Sequence, residues 1–337
     1  MTTRLETWAA RFTDLSVSTR MQRSLMSETL KIDKDLHTRK KELLAYLRAR
    51  AAESLTTISK TFGVKEYRER AIAVNKSVAI ERERLATQLR QLAAKEKWSN
   101  EVTLPNILLL THCSNVVMLE SRNSVWPYEY MTFSRRIGEL WEPFCNICFE
   151  YPVRDDVSLF TPPVFEDVKK RLSNEIREFI AGLNITRDQK KSLLNYYDKV
   201  WSLVTSGEIQ LSVDLHFVID KTRYIVDFKS GFSSNEKGNT NRLLLVASIY
   251  KNIEPEDYRC LILVRSAEDL NNHYLQTLKN SGLWEVHCGG DAYAVLKEFS
   301  GFNMKDWIEK NVKWKEDISG ELCEHLTDGD LLKYLTW

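Results

Sequence analysis

The chain has 337 residues, 43 % of them apolar, and a net charge of +1, which suits one large folded domain with an appendage, or two domains. No window reads as apolar enough to span a bilayer, and the opening MTTRLETWAARFTDL lacks the apolar core of a signal peptide. Six cysteines in a chain this long are no disulfide framework, so a reducing, cytoplasmic setting is expected.

The near-zero net charge hides an asymmetry. Residues 1–100 carry 21 Lys and Arg against 12 Asp and Glu, net +9, and the remainder, with 27 against 35, is net −8. A basic N-terminal third points to a polyanionic partner or to a solvated helical surface. Its periodicity is helical throughout. Leu44, Leu47, Ala51, Leu55, Ile58 and Phe62 step by three and four. After Gly63 the pattern resumes at Tyr67, Ala71, Val74, Val78, Leu85, Leu89 and Leu92. The spacing predicts two long antiparallel helices reversing at Gly63, preceded by a helix over about 15–36. Residues 1–100 are therefore read as a basic helical arm that clamps a duplex or dimerises.

From residue 101 the composition changes. LPNILLLTHCSNVVMLE predicts a buried helix, and a second is expected over 137–149, interrupted or kinked at Pro143. Glu139 and Glu142 are three apart and share a helical side. Cys145 and Cys148 have a zinc-like spacing, but no second pair completes a site, and their apolar neighbours make them core residues. Residues 151–163, with three prolines, read as a loop. Helices follow over about 164–182 and 187–206, the second with Thr186 as its N-cap.

The stretch GEIQLSVDLHFVIDKTRYIVDFKSG, residues 207–231, alternates with period two and predicts a β-hairpin turning at 220–223. Ile209, Leu211, Val213, Leu215, Phe217 and Ile219 form one apolar face. Gln210, Ser212, Asp214, His216 and Asp220 share the other with Val218. On the return strand Ile225, Asp227 and Lys229 point to one side, so alternation gathers Asp214, Asp227 and Lys229 on a polar face. Beyond it come a helix from about 240 to 251, a strand over 259–265, a helix over 271–280, further strand over 284–296 broken at Gly289-Gly290, and an aromatic-rich helical tail from Met304. This order predicts an α/β fold, a central mixed sheet flanked by helices. The domains expected are the arm (1–100), a core (101–300) with a helical insertion at about 151–206, and a helical extension (301–337).

No GxxxxGK[ST], GxGxxG, HExxH or GxSxG is present. Asp214, thirteen residues before Asp227, with Asp227-Phe228-Lys229 on the next strand, resembles the signature of the PD-(D/E)XK nucleases, with Val213 where the family commonly has proline. The resemblance covers about residues 134–300. It implies a restriction-endonuclease-like core and a Mg²⁺-dependent endonuclease cutting double-stranded DNA, most simply a type II restriction enzyme. Asp214, Asp227 and Lys229 are then catalytic. Asp214, Asp227 and the Phe228 carbonyl are metal ligands, and RIGELWE is the helix that supplies a third acid, Glu142 or alternatively Glu139. Hard carboxylate oxygens suit Mg²⁺, and a lysine beside them stabilises charge on the phosphate. Lys237, Asn239, Asn241 and Arg242, at the start of the following helix, are candidate DNA contacts. A homodimer follows from function, because two sites meet two strands of a palindrome. The alternatives are a repair, phage-defence or RNA-acting nuclease of the same fold, and a non-catalytic nucleic-acid-binding or coiled-coil scaffold protein.

Overall fold

The run Cys260–Leu261–Ile262–Leu263–Val264 has no polar alternation at all, and a strand of this kind needs cover on both of its faces. In the computed structural model, which describes residues 30–204, 209–232, 236–253 and 257–337, all five residues are buried. They lie in β4 (Asp257–Val264), inside a five-stranded mixed sheet of order β1-β2-β3-β4-β5. β1 (Val157–Leu159), β2 (Leu215–Ile219) and β3 (Thr222–Lys229) form an antiparallel meander. β4 and β5 (Glu285–Cys288) add in parallel to β3.

The chain divides into two compact units, Met1–Val153 with Asn303–Trp337, and Arg154–Phe302. This division differs from the one read from sequence, since residues 101–153 join the arm and the tail rather than the sheet. The physical reason lies in the helix once expected to be core. Helix α3 (Asn100–Val125) is buried on nearly every side and packs on the arm helices α1 (Lys40–Thr61) and α2 (Tyr67–Glu96). It also corrects the reading of hydropathy. By length and composition α3 is apolar enough to cross a membrane, but 89 % of its most apolar window is buried inside the protein.

The arm is the expected antiparallel hairpin. Tyr46 Oη donates to Glu81 Oε1 at 2.8 Å and Arg70 reaches Ser59, so early α1 meets mid α2, and late α1 meets early α2. Of the seams that the spacing marks, Leu44, Leu47, Ala51, Ile58, Ala71, Val74, Val78, Leu85 and Leu89 are buried, with Ile58 packed among Ala71 and Val74, while Leu55, Phe62 and Leu92 are half-buried and Tyr67 is exposed. The helix expected over 15–36 lies mostly outside the described residues. Its described end is a 3₁₀ turn, Leu36–Thr38. Helix α4 (Tyr130–Glu150) runs through Pro143 without interruption in its assignment, and buries Phe133, Trp141, Phe144, Cys145 and Cys148. Both cysteines are free thiols in the core.

The tail forms three helices, α10 (Met304–Asn311), α11 (Trp314–Asp317) and α12 (Gly320–Asp328), and an ionic network holds it to the arm. Asp317 takes His112 Nε2 of α3 at 2.8 Å and Lys40 Nζ of α1 at 2.6 Å. Arg48 spans from Glu120 to the Asp317 carbonyl, and Ser319 N–H donates to Glu120. Burial works to raise the Asp317 carboxyl, but the bonds from His112 and Lys40 bring it below its ordinary value.

In the sheet unit, α5 (Phe165–Gly182) and α6 (Arg187–Val204) follow β1. Thr186 caps α6 as expected: Gln189 N–H donates to Thr186 Oγ1 at 3.3 Å while Thr186 N–H donates to Gln189 Oε1. Helix α7 (Lys237–Lys251) connects β3 to β4, α8 (His273–Asn280) connects β4 to β5, and α9 (Gly290–Ser300) follows β5. One face of the sheet is covered by a single apolar cluster in which Ile225, Ile262 and Val264 meet Val168 of α5, Val246 and Tyr250 of α7, and Leu275 of α8. On the other face Phe217 stacks on Tyr224 with ring centroids 4.8 Å apart, and Phe299 of α9 packs on both.

Three sequence readings change here. The stretch 151–163 is not all loop, because β1 pairs with β2 from within it. Residues 290–296 are helix rather than strand: Gly289 adopts φ 53° and lets the chain leave β5 straight into α9. The third concerns the hairpin's polar face: its part at His216 and Asp227 is buried, whereas Gln210, Ser212 and Asp220 are exposed.

Replacing Asp317 leaves Lys40 without its counter-charge and the buried His112 Nε2 without its hydrogen-bond partner. Asp317→Ala is expected to cost about 3 kcal/mol in chemical denaturation, whereas Glu83→Ala, which removes an exposed partner of Arg90, should cost under about 0.5 kcal/mol.

Candidate active site

The hairpin is built around a two-residue turn. Ile219 pairs with Thr222, and Asp220 between them adopts φ 53°, which Asp tolerates better than most residues. From this turn the register runs Phe217↔Tyr224, His216↔Ile225 and Leu215↔Val226. The register ends there, one residue short of Asp214.

The strand does not continue through Asp214. A bend there ends β2, and the Asp214 carboxylate takes over the strand's role as acceptor. Phe228 N–H donates to Asp214 Oδ2 at 2.7 Å. The expected apolar face 209–219 is therefore not continuous. Leu215 and Phe217 obey the strand period, but Leu211 packs in the α7-side cluster, with Ile209 and Val213 against it. The Leu211 carbonyl accepts from Tyr250 Oη at 3.0 Å.

Asp227 and Lys229 share one side of β3, as alternation requires. That side faces α7, not solvent, and Asp227 is 0 % exposed. A carboxylate so buried needs a counter-charge, and it has two. Lys229 Nζ pairs with Oδ1 and also donates to the Phe228 carbonyl at 3.1 Å. Arg242 Nη2, from α7, reaches Oδ2 at 3.2 Å. Arg242 is itself held by Asn239, whose Oδ1 accepts from Nε and Nη2 at 3.4 and 3.3 Å, and Asn239 Nδ2 donates to Glu236 at 3.1 Å. Glu236, Asn239 and Arg242 are spaced by three, so they line one side of the start of α7.

Of the candidate DNA contacts, Arg242 thus comes to the site and Asn239 positions it. Lys237 and Asn241 are exposed on α7. Glu139 and Glu142 lie on α4, in the helical unit rather than in the unit that carries the hairpin. Glu139 is paired there with Arg135 at 2.7 Å and Arg136 at 3.3 Å. Among the described residues no group of three or more His, Cys, Asp and Glu side chains is arranged to hold a metal ion.

Asp214, Asp227 and the Phe228 carbonyl nonetheless form a hard-oxygen donor set. Two carboxylates suffice for Mg²⁺, which keeps several of its waters. Each of these donors already has a protein partner: Asp214 the Phe228 amide, Phe228 the lysine, Asp227 two cations. The oxygen donors fit the ion by type, while Lys229 and Arg242 hold the positive charge now paired with Asp227.

His216 lies on the α7 side two residues beyond Asp214, 7 % exposed, between Phe160 and Tyr250, and its Nε2 has no hydrogen-bond partner. Burial pushes its pKa down to about 4, against a smaller opposing effect of the Leu211 backbone. The imidazole is therefore neutral at neutral pH. Its folded pKa lies below the unfolded value near 6.5, so the unfolded chain takes up the proton first and stability falls as pH drops from about 6.5 toward 4. Between about pH 7 and pH 4.5 the wild-type chain should lose about 2 kcal/mol more than His216→Leu in urea denaturation. Equal losses would show that His216 does not carry this dependence.

No family model, curated protein or solved structure matches this chain, so a functional reading rests on its own residues and their placement.

Proposed function

We propose that this chain is a Mg²⁺-dependent endonuclease of the PD-(D/E)XK type that hydrolyses phosphodiester bonds in double-stranded DNA. The observation that carries the reading is the meeting of these groups at the hairpin: the Asp214 carboxylate accepts from the Phe228 N–H, between Asp227 and Lys229, and Lys229 pairs with Asp227 from the same side of β3. An antiparallel hairpin followed by a helix and a parallel strand, β2-β3-α7-β4, sets these groups at the end of β3, and this order supports the restriction-endonuclease-like core. The basic arm supports a polyanionic substrate.

In this reading Asp214 and Asp227 would hold the ion through carboxylate oxygens, with the Phe228 carbonyl as a further donor. The bound ion supplies charge neutralisation at the phosphate and an acidified water. Lys229, tethered between Asp227 and the Phe228 carbonyl, presents its ammonium to the attacking water and to the negative charge that grows on the phosphate. Burial of the pair under α7 excludes bulk water, which strengthens each of these interactions. Restriction of a palindrome by a cytoplasmic homodimer is the simplest setting, since each copy then addresses one strand.

A second reading has its own observation. The Asp227 carboxylate is 0 % exposed and ion-paired through both oxygens, which is also what a purely structural ion pair looks like in a non-catalytic nucleic-acid-binding protein.

Cleavage assays separate the two. With plasmid or phage DNA, the purified chain is expected to give discrete fragments with Mg²⁺ and none with EDTA. Asp227→Asn and Lys229→Met should each lower cleavage by roughly a thousandfold while DNA binding persists. Salt-sensitive binding with no cleavage under any divalent cation would select the structural reading.

A further inference from the structure

Asp227 has more positive charge around it than its own charge requires. Lys229 and Arg242 both contact it, while the neighbouring acid Asp214 is satisfied on Oδ2 by an amide. The four side chains together are neutral. A divalent cation between the two carboxylates would leave this cluster strongly positive in a buried place, so one of the two organic cations has to give way.

The geometry distinguishes them. Lys229 is 17 % exposed, rooted on β3, and tied to the carbonyl of its neighbour Phe228 at 3.1 Å. Arg242 is 41 % exposed and comes from another element, α7. It also has a second resting partner in Asn239 Oδ1, which keeps two of its N–H groups satisfied when Asp227 is withdrawn. Its planar fork suits a phosphate oxygen pair as well as a carboxylate.

We infer that Arg242 is the exchangeable counter-ion of Asp227: it pairs with the carboxylate, yields it when a divalent cation binds, and turns to a non-bridging oxygen of the substrate phosphodiester. The inference rests on the proposed role of Asp214 and Asp227 as cation ligands. It goes beyond that role in making Arg242 a competitor of the metal and a ligand of the phosphate, one group alternating between two anions. Asn239 and, through it, Glu236 are positioning residues that hold the guanidinium over the site in both states.

Mn²⁺ serves as the probe. Its affinity for the intact chain is measured by electron paramagnetic resonance of the free ion, for wild type, Arg242→Gln and Arg242→Lys. Removing the competing charge should tighten Mn²⁺ binding roughly tenfold in Arg242→Gln, and Arg242→Lys, which keeps the charge, should stay within about twofold of wild type. In the wild-type chain the Arg242 Nε–Hε resonance should shift on addition of Mg²⁺, a readout that needs no variant to fold. Wild-type Mn²⁺ binding that Arg242→Gln leaves unchanged or weakens, or an Arg242 resonance unmoved by saturating Mg²⁺, overturns the exchange and leaves the nuclease reading standing. Absence of Mn²⁺ binding in every form overturns both. Tighter binding in Arg242→Gln together with no DNA cleavage by any form supports the exchange and removes the nuclease reading.

Discussion

A carboxylate with no solvent contact sits at the centre of the sheet unit, and most of the local design follows from it. Asp227 lies on a strand whose two faces are both covered, so water cannot solvate its charge. β3 supplies one cation from its own sequence, because alternation returns Lys229 to the same side two residues later. The other must come from across the layer. Arg242 provides it, and the start of α7 is thereby tied to β3 by an ion pair as well as by the packing of Leu243, Val246 and Tyr250. Asp214 solves a smaller problem at the same place. By accepting the Phe228 amide it ends β2 without leaving that donor unpaired.

The helical unit meets the same constraint by different means. Asp317, His112 and Lys40 form a nearly dry network that joins three segments distant in sequence, and Arg48 with Glu120 extends it. Arg122, nearly buried, lies over the rings of Trp126 and Tyr128, a cation placed on aromatic faces. These groups make the tail part of the arm's own core. They also show that polar residues within an apolar helix such as α3 signal partners inside the protein rather than exposure to solvent.

The elements that repeat a period over many residues were legible. The two arm helices, α3, the hairpin, β4 and the cap of α6 follow from leucine spacing, turn residues and the position of Thr186. Short or phase-broken pieces were not. β1 is three residues long and lies between prolines, so it has no period to read. Residues 290–300 do carry a helical stripe, Ala292, Leu296 and Phe299, but it is short and directly follows β5 and two glycines, so a strand reading carried across it. The break in alternation at Asp214 depends on a side chain replacing a backbone acceptor, an event that leaves no mark in hydropathy.

For the site, residue type and spacing alone brought Asp214, Asp227 and Lys229 to one side of a hairpin, because a strand's period of two is a local property of the backbone. Whether that side meets water or a helix is not local. It is decided by where α7 packs, and α7 lands on it, turning an apparent polar surface into a buried ion cluster and bringing Arg242 onto Asp227. The placement of Glu139 and Glu142 is likewise tertiary: their helix has its own apolar face, and that face belongs to the helical unit. Period and residue chemistry are written along the chain, whereas burial and charge pairing arise only between segments that sequence distance does not relate.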